Sequence, residues 1–134
     1  TKQIVSTIIE VLRHRQIPVH VYRVPEDDVG HILGDAWKTK GLIFGMPTYE
    51  YKMFPPMAHV IDELILKKVK NRKVFRFGSF GWVGGAQRDF DAKTEKSGWE
   101  VQGCYEWQGA PTEEDHAAIR EAVSAYCDSL EEGE

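Results

Sequence analysis

The sequence predicts an α/β domain built on a doubly wound parallel sheet. Apolar patterns of helical and strand period alternate along the whole chain of 134 residues, as in folds whose parallel strands are connected by helices. The segment 41–45 is apolar throughout, which is typical of a strand buried on both faces. Loops rich in glycine or proline follow 41–45 and 73–78 and lead into helices.

The predicted order of elements is α-β-α-β-α-β-α-β-α, which begins with a helix where a doubly wound sheet would begin with a strand. We therefore expect residues 1–134 to form one domain that is truncated at its N-terminus. The intact domain would have five strands, and the first of them would be missing from this chain.

The first half of the chain contains two predicted helices and two predicted strands. Apolar residues at helical spacing predict an amphipathic helix over 2–16, which ends before Pro18. Residues 19–24 are expected to form a strand, 26–37 a short helix that begins with acidic residues, and 41–45 the next strand.

In the second half, a pair of prolines is expected to open a helix at 55, where a missing N–H costs nothing. A strand over 73–78 and a weakly amphipathic helix around 86–96 follow. Apolar and polar residues then alternate from 99 to 108, which predicts a strand with one wet face at the sheet edge. The last helix is capped by Thr112, and acidic residues in its first turn suit the positive end of the helix dipole.

Composition excludes several classes of function. The net charge is −4, and no basic cluster offsets it, which argues against a nucleic-acid-binding protein. No apolar run approaches the ~20 residues that span a bilayer. The two cysteines, Cys104 and Cys127, have no CxxC spacing and fit a reducing compartment. We expect a cytoplasmic protein without a membrane segment, and the five histidines show no metal-ligand spacing.

Two loops carry the residues that could bind a ligand. The loop Met46–Tyr51 follows one buried strand and offers the hydroxyl of Thr48 and the ring of Tyr49. The loop Ser79–Gly85 follows the next strand and places Trp82 among glycines, which let backbone amides approach a ligand closely. Ligands of open α/β sheets bind beyond the carboxyl ends of the strands. The two loops therefore predict a site for a flat, conjugated molecule between two aromatic rings.

Simpler interpretations of the same residues stay open. The first loop could be a structural turn before a helix that begins with proline, and the second a flexible turn with Trp82 packed on itself. Thr1 could bind an anion at the start of the first helix or serve as an ordinary cap. The glycine spacing GxxGxxGG differs from GxGxxG, so a Rossmann-type dinucleotide site is disfavoured.

Four short motifs together resemble the flavodoxin-like domain of the flavodiiron proteins, also called A-type flavoproteins. The first loop, G-M-P-T-Y at 45–49 followed by M-F-P-P at 53–56, is similar to the G-S-P-T-Y loop and helix start of that family. The second, G-S-F-G-W-V-G-G-A at 78–86, is similar to G-S-Y-G-W-G-G-G-A, and P-T-E-E-D at 111–115 matches the start of the last helix. The chain departs from the family pattern at Met46 and Val83.

The resemblance implies a flavodoxin-like fold and one bound FMN. It implies that the isoalloxazine ring lies between the two loops and that the phosphate binds before the first helix, where Thr1 matches the final threonine of the phosphate loop. It also implies that the di-iron centre of the family belongs to a different domain, so no metal is expected here. The flavin site would be formed by Thr1, Pro47, Thr48, Tyr49, Ser79, Phe80, Gly81, Trp82 and Gly84.

These expectations describe a redox-active domain that is not a complete enzyme by itself. The resemblance implies that it relays electrons from a redox donor protein or reductase to a di-iron centre that reduces oxygen or nitric oxide, within a homo-oligomer. One alternative is a small flavin-dependent NAD(P)H quinone or nitro reductase on the same fold. The other is a flavodoxin-like binding module without flavin.

Overall fold

The computed structural model describes residues 2–24, 26–46, 48–49, 52–80 and 85–132, and within them helices and strands alternate. The helices are α1 (Lys2–His14), α2 (Val29–Ala36), α3 (Pro55–Leu66), α4 (Ala86–Thr94) and α5 (Glu113–Glu132). The strands are β1 (Gly41–Gly45), β2 (Thr48–Tyr49), β3 (Lys52–Met53), β4 (Lys73–Phe80) and β5 (Glu100–Gln108).

Strands β1, β4 and β5 form a parallel sheet in the order β1-β4-β5. The register aligns Phe44 with Arg76, and Arg76 with Cys104. Helices cover both faces of this sheet, so the prediction of an α/β fold with a doubly wound parallel sheet is confirmed. The order corresponds to the last three strands of a sheet with the order 2-1-3-4-5.

Two apolar clusters hold the helices on the two faces of the sheet. On one face, Phe44 packs against Phe90 of α4 and Trp99, with ring centroids 5.9 and 5.6 Å apart respectively. On the other face, Phe75 and Phe77 of β4 pack with residues of α1 and α5. Strand β4 is the central strand of the described sheet, and it therefore contributes buried side chains to both clusters.

The termini of the helices follow from local sequence. The predicted cap of α5 is confirmed, since the Asp115 amide donates to Thr112 Oγ1 at 3.3 Å and the Thr112 amide donates to the Asp115 carboxylate at 2.9 Å. This reciprocal pair is a capping box. Helix α2 is shorter than the predicted 26–37 because Asp28, whose side chain accepts from the Gly30 amide at 3.0 Å, caps it.

The prediction of a strand at 19–24 is wrong: the segment is irregular, and Val19 and Val21 are 39% and 53% exposed. In the order 2-1-3-4-5 the second strand pairs only with the first. No strand precedes this segment within the described residues, so its backbone has no ladder to join. In the same residues, no helix is long and apolar enough to cross a membrane.

Candidate functional site

The candidate site lies at the carboxyl edge of the sheet, where β1 and β4 end side by side. The two strands are parallel neighbours, so the chain leaves both of them at the same edge. The Met46 amide still donates to the Phe77 carbonyl at 3.0 Å, so Met46 continues the pairing beyond β1. The bases of the two predicted loops therefore lie next to each other.

The first loop contains a small hairpin that the sequence did not predict. Thr48 pairs with Met53 and Tyr49 pairs with Lys52 across β2 and β3, and β2 lies alongside β4. Met53 is buried, and its amide donates to Asp89 Oδ2 of α4 at 3.1 Å. Asp89 thus ties the first loop to the helix that follows the second loop. Its position in the first turn of α4 gave no hint of this contact in the sequence.

The second loop begins later than the sequence predicts. Strand β4 continues to Phe80 because Ser79 and Phe80 pair with Trp107 and Gln108 of β5. Both residues are half-buried. The Phe80 carbonyl accepts a hydrogen bond of 3.0 Å from Gly109, which has a φ of +71°. The chain leaving β5 is thereby held at the same edge.

The structure brings four of the nine predicted site residues to this edge. Thr48 and Tyr49 lie in β2, and Ser79 and Phe80 end β4. The remaining five, Thr1, Pro47, Gly81, Trp82 and Gly84, lie outside the described residues. The flavin sandwich between the two aromatic loops therefore stays a prediction.

Gly78 allows the two loop bases to pack directly on each other. A Cβ atom at this position would lie 2.9 Å from the carbonyl carbon of Met46, closer still to its oxygen, and 3.1 Å from Arg76 Nη2. Real Cβ atoms essentially never approach other atoms within 3.0 Å. Any larger residue would push the first loop away from β4. The sequence shows Gly78 within the second motif, but the reason for it is visible only in the contact across strands.

Arg76 is a fully buried cation beneath both loops. Its Nη2 donates to the Met46 carbonyl at 3.3 Å and its Nη1 to Gln87 Oε1 at 3.1 Å. Nη1 also lies 2.9 Å from the Glu106 carboxylate of β5, whose side chain is 22% exposed. Within the described residues, the buried Arg76 Nε has no acceptor. A charge in the middle of an apolar strand was visible in the sequence, but Glu106 as its partner was not.

The site chemistry that the structure describes consists of backbone groups, one ion pair and aromatic rings. Among residues 2–24, 26–46, 48–49, 52–80 and 85–132, no group of three or more His, Cys, Asp or Glu side chains could hold a metal ion. Among the described residues, the features of this edge are the close backbone packing at Gly78 and the half-buried Phe80 that ends β4.

The fold and this site define a flavodoxin-like domain. Its architecture superposes on a flavodoxin from the domain Archaea with a TM-score of 0.82 and 20% identity, covering 98% of this chain and 90% of the other. Rubredoxin oxygen:oxidoreductase from Desulfovibrio gigas gives a TM-score of 0.91 at 18% identity, covering 98% of this chain and 33% of that one. A variant of the flavo di-iron protein from Thermotoga maritima gives 0.84 at 26% identity, covering 96% and 32% respectively.

Relatives found by sequence comparison are flavorubredoxins. Anaerobic nitric oxide reductase flavorubredoxin from Vibrio vulnificus is 32% identical over 85 residues, which are 63% of this chain and 17% of the relative. The protein of the same name from Klebsiella pneumoniae is 29% identical over 86 residues, or 64% and 18%. No protein-family model matches the chain.

The predicted resemblance to the flavodoxin-like domain of flavodiiron proteins is therefore confirmed. The chain spans less than a fifth of the length of these curated relatives and about a third of the flavodiiron structures.

Proposed function

We propose that this chain is an FMN-binding electron-transfer domain of a flavodiiron-type oxidoreductase. The observation that supports this most strongly is the placement of two loops at the carboxyl ends of the adjacent parallel strands β1 and β4. In open α/β sheets this edge is where ligands bind. The chain shares its fold with flavodoxins and flavo di-iron proteins.

We assign the ring-binding role to residues 47–49, 79–82 and 84 and the phosphate-binding role to Thr1. The described backbone is consistent with this assignment, because packing at Gly78 brings the loop bases close together. When bound, FMN would supply the electron-carrying chemistry. The chain would orient the ring, exclude water from it, and pair backbone groups with its polar edge. The proposed FMN contacts are Thr1, Pro47, Thr48, Tyr49, Ser79, Phe80, Gly81, Trp82 and Gly84.

The proposed partners are a redox donor protein or reductase and a di-iron domain of the same family. Because the chain covers 32% of a flavo di-iron protein, we propose that the metal centre is carried by a separate domain. An electron-transfer domain must present its cofactor to that centre. We propose that this takes place within a homo-oligomer. We also propose that the protein works in the cytoplasm.

A flavin titration tests the proposal. Flavin fluorescence is measured while the purified chain is added, once with FMN and once with riboflavin, which carries the same ring without the phosphate. Saturable quenching with both ligands is expected if the two loops hold the ring. The ratio of the two dissociation constants then reports the phosphate contribution separately.

Aromatic substitutions locate the binding site. Each stacked ring contributes about 0.5–1.5 kcal/mol beyond area burial, so Tyr49→Ala and Trp82→Ala should each weaken binding at least about twofold to tenfold. Trp37→Ala is the matched control, because Trp37 is 53% exposed and follows α2. Absence of flavin binding, or equal loss in the control, would contradict the proposal. Rapid NADPH oxidation by the flavin-loaded chain alone would favour a reductase instead.

A further inference from the structure

We propose that the buried Arg76 and its partly exposed partner Glu106 form a charge pair beneath the flavin site whose balance sets the flavin's reduction potential. This inference rests on the proposed FMN-binding function.

The position of Arg76 supports a role at the site. Its guanidinium touches the carbonyl of Met46, which immediately precedes the first proposed ring contact. It also touches Gln87, which lies just beyond the second loop in the first turn of α4. The cation therefore lies under the bases of both loops, where a planar ligand between them would be its neighbour.

The burial of Arg76 supports an electrostatic role. The Arg76 side chain is 0% exposed, whereas the Glu106 side chain, 2.9 Å away on β5, is 22% exposed, so water reaches the pair only through Glu106. Replacing a buried ion pair by apolar residues of similar size is often neutral or stabilising. Stability alone therefore gives little reason for an arginine in the centre of β4.

The charge of the ligand changes on reduction, and this determines the expected effect. Reduced flavin can carry a negative charge, which an uncompensated Arg76 would stabilise and an uncompensated Glu106 would destabilise. Neutralising one partner should therefore raise the reduction potential, and neutralising the other should lower it. A purely structural role would shift both variants in the same direction or in neither.

The test measures the two-electron midpoint potential of bound FMN at pH 8 by absorbance, together with the dissociation constant of oxidised FMN. Glu106→Gln should raise the potential, and Arg76→Met should lower it. The ratio of affinities for reduced and oxidised FMN should change about tenfold in each case, which corresponds to about 30 mV. The double variant restores neutrality and should return close to the wild-type potential.

Matched controls come from a second ion pair with the same spacing. Lys93 and Asp62 lie 2.9 Å apart at the surface, with side chains 27% and 55% exposed. Lys93→Met and Asp62→Asn make the same charge changes in a solvent-screened place and should leave the potential unchanged. If Arg76→Met does not fold, the potential of Glu106→Gln should still lie above that of the wild type, and the potential of the double variant should lie close to it.

The outcomes separate the two proposals. Opposite shifts at Arg76 and Glu106, with none in the controls, support the charge pair. If all variants bind FMN but their midpoint potentials are equal, or are all shifted in one direction, the proposed role of the charge pair is overturned. The proposal of FMN binding then stands. A wild-type chain that binds neither FMN nor riboflavin overturns both.

Discussion

Replacing Gly78 by alanine tests whether close packing of the two loop bases matters for stability and for the site. The added methyl group would overlap the carbonyl of Met46, whose carbon lies 2.9 Å from the Cβ position. The atoms that the methyl group meets belong to the backbone of Met46, which cannot rotate out of the way as a flexible side chain could. The base of the first loop must therefore move. The same displacement would break the contact between Arg76 and the Met46 carbonyl.

The size of the effect follows from two opposing contributions. Alanine reduces the conformational freedom of the unfolded chain and should stabilise by about 0.4–1 kcal/mol where space is free. Overpacking costs about 1–3 kcal/mol and outweighs that gain at Gly78. Gly34 in α2 is the matched control, because a Cβ there meets nothing within 4 Å. Because the entropic gain is common to both variants and cancels, they should differ by about 1–3 kcal/mol in unfolding free energy.

Urea unfolding and thermal melts of the Gly78→Ala and Gly34→Ala variants measure this difference. For a domain of 134 residues, 1 kcal/mol corresponds to roughly 3–5 °C in melting temperature. The flavin affinity of Gly78→Ala should also fall. Each 1.4 kcal/mol of binding free energy that is lost corresponds to a roughly tenfold rise in the dissociation constant. Equal stability of both variants, with wild-type flavin affinity, would refute the packing argument.

Two further predictions concern stability alone. Phe90 is fully buried with its ring 5.9 Å from Phe44, so Phe90→Ala should cost about 3–5 kcal/mol in urea unfolding; a loss below about 1 kcal/mol would contradict the assigned core. Asp115 accepts hydrogen bonds from the Thr112 amide and the Tyr105 hydroxyl, which lower the pKa of its carboxyl from the ordinary 3.8. The stability that this carboxylate contributes is present above pH 3.8 and lost as pH falls through its lower folded pKa. Asp115→Asn should therefore destabilise at pH 7, and this loss should shrink as the pH falls below 3.8; a difference in unfolding free energy that does not change with pH would contradict this assignment.

Elements with strong periodicity could be predicted from the sequence. The helix at 2–14, the proline-started helix at 55 and the capped helix at 113 all agree with the structure to within a few residues. Their signals are local: an apolar stripe, a fixed φ at proline, and a capping side chain. The apolar strand 41–45 agrees with the prediction, and its side chains pack on both faces of the sheet, although only Phe44 is fully buried while Leu42 and Ile43 are half-buried.

Features that depend on a partner could not be predicted. Residues 19–24 have strand-like composition but no neighbouring strand among the described residues, so composition alone gave the wrong result. The hairpin of β2 and β3 has two residues in each strand, too few to show a period. The extension of β4 to Phe80 and the pairing of Arg76 with Glu106 both follow from the register with β5, which no local pattern encodes.

The position of β1 has a consequence for handling the protein. Within the described sheet β1 pairs with β4 alone, so its other side joins no further strand among the described residues. Such an edge is a template for edge-to-edge association. Residues 1–134 purified by themselves are expected to associate at high concentration, and light scattering over a dilution series would reveal it. A sizing experiment on this chain must therefore distinguish nonspecific strand addition from a defined quaternary interface.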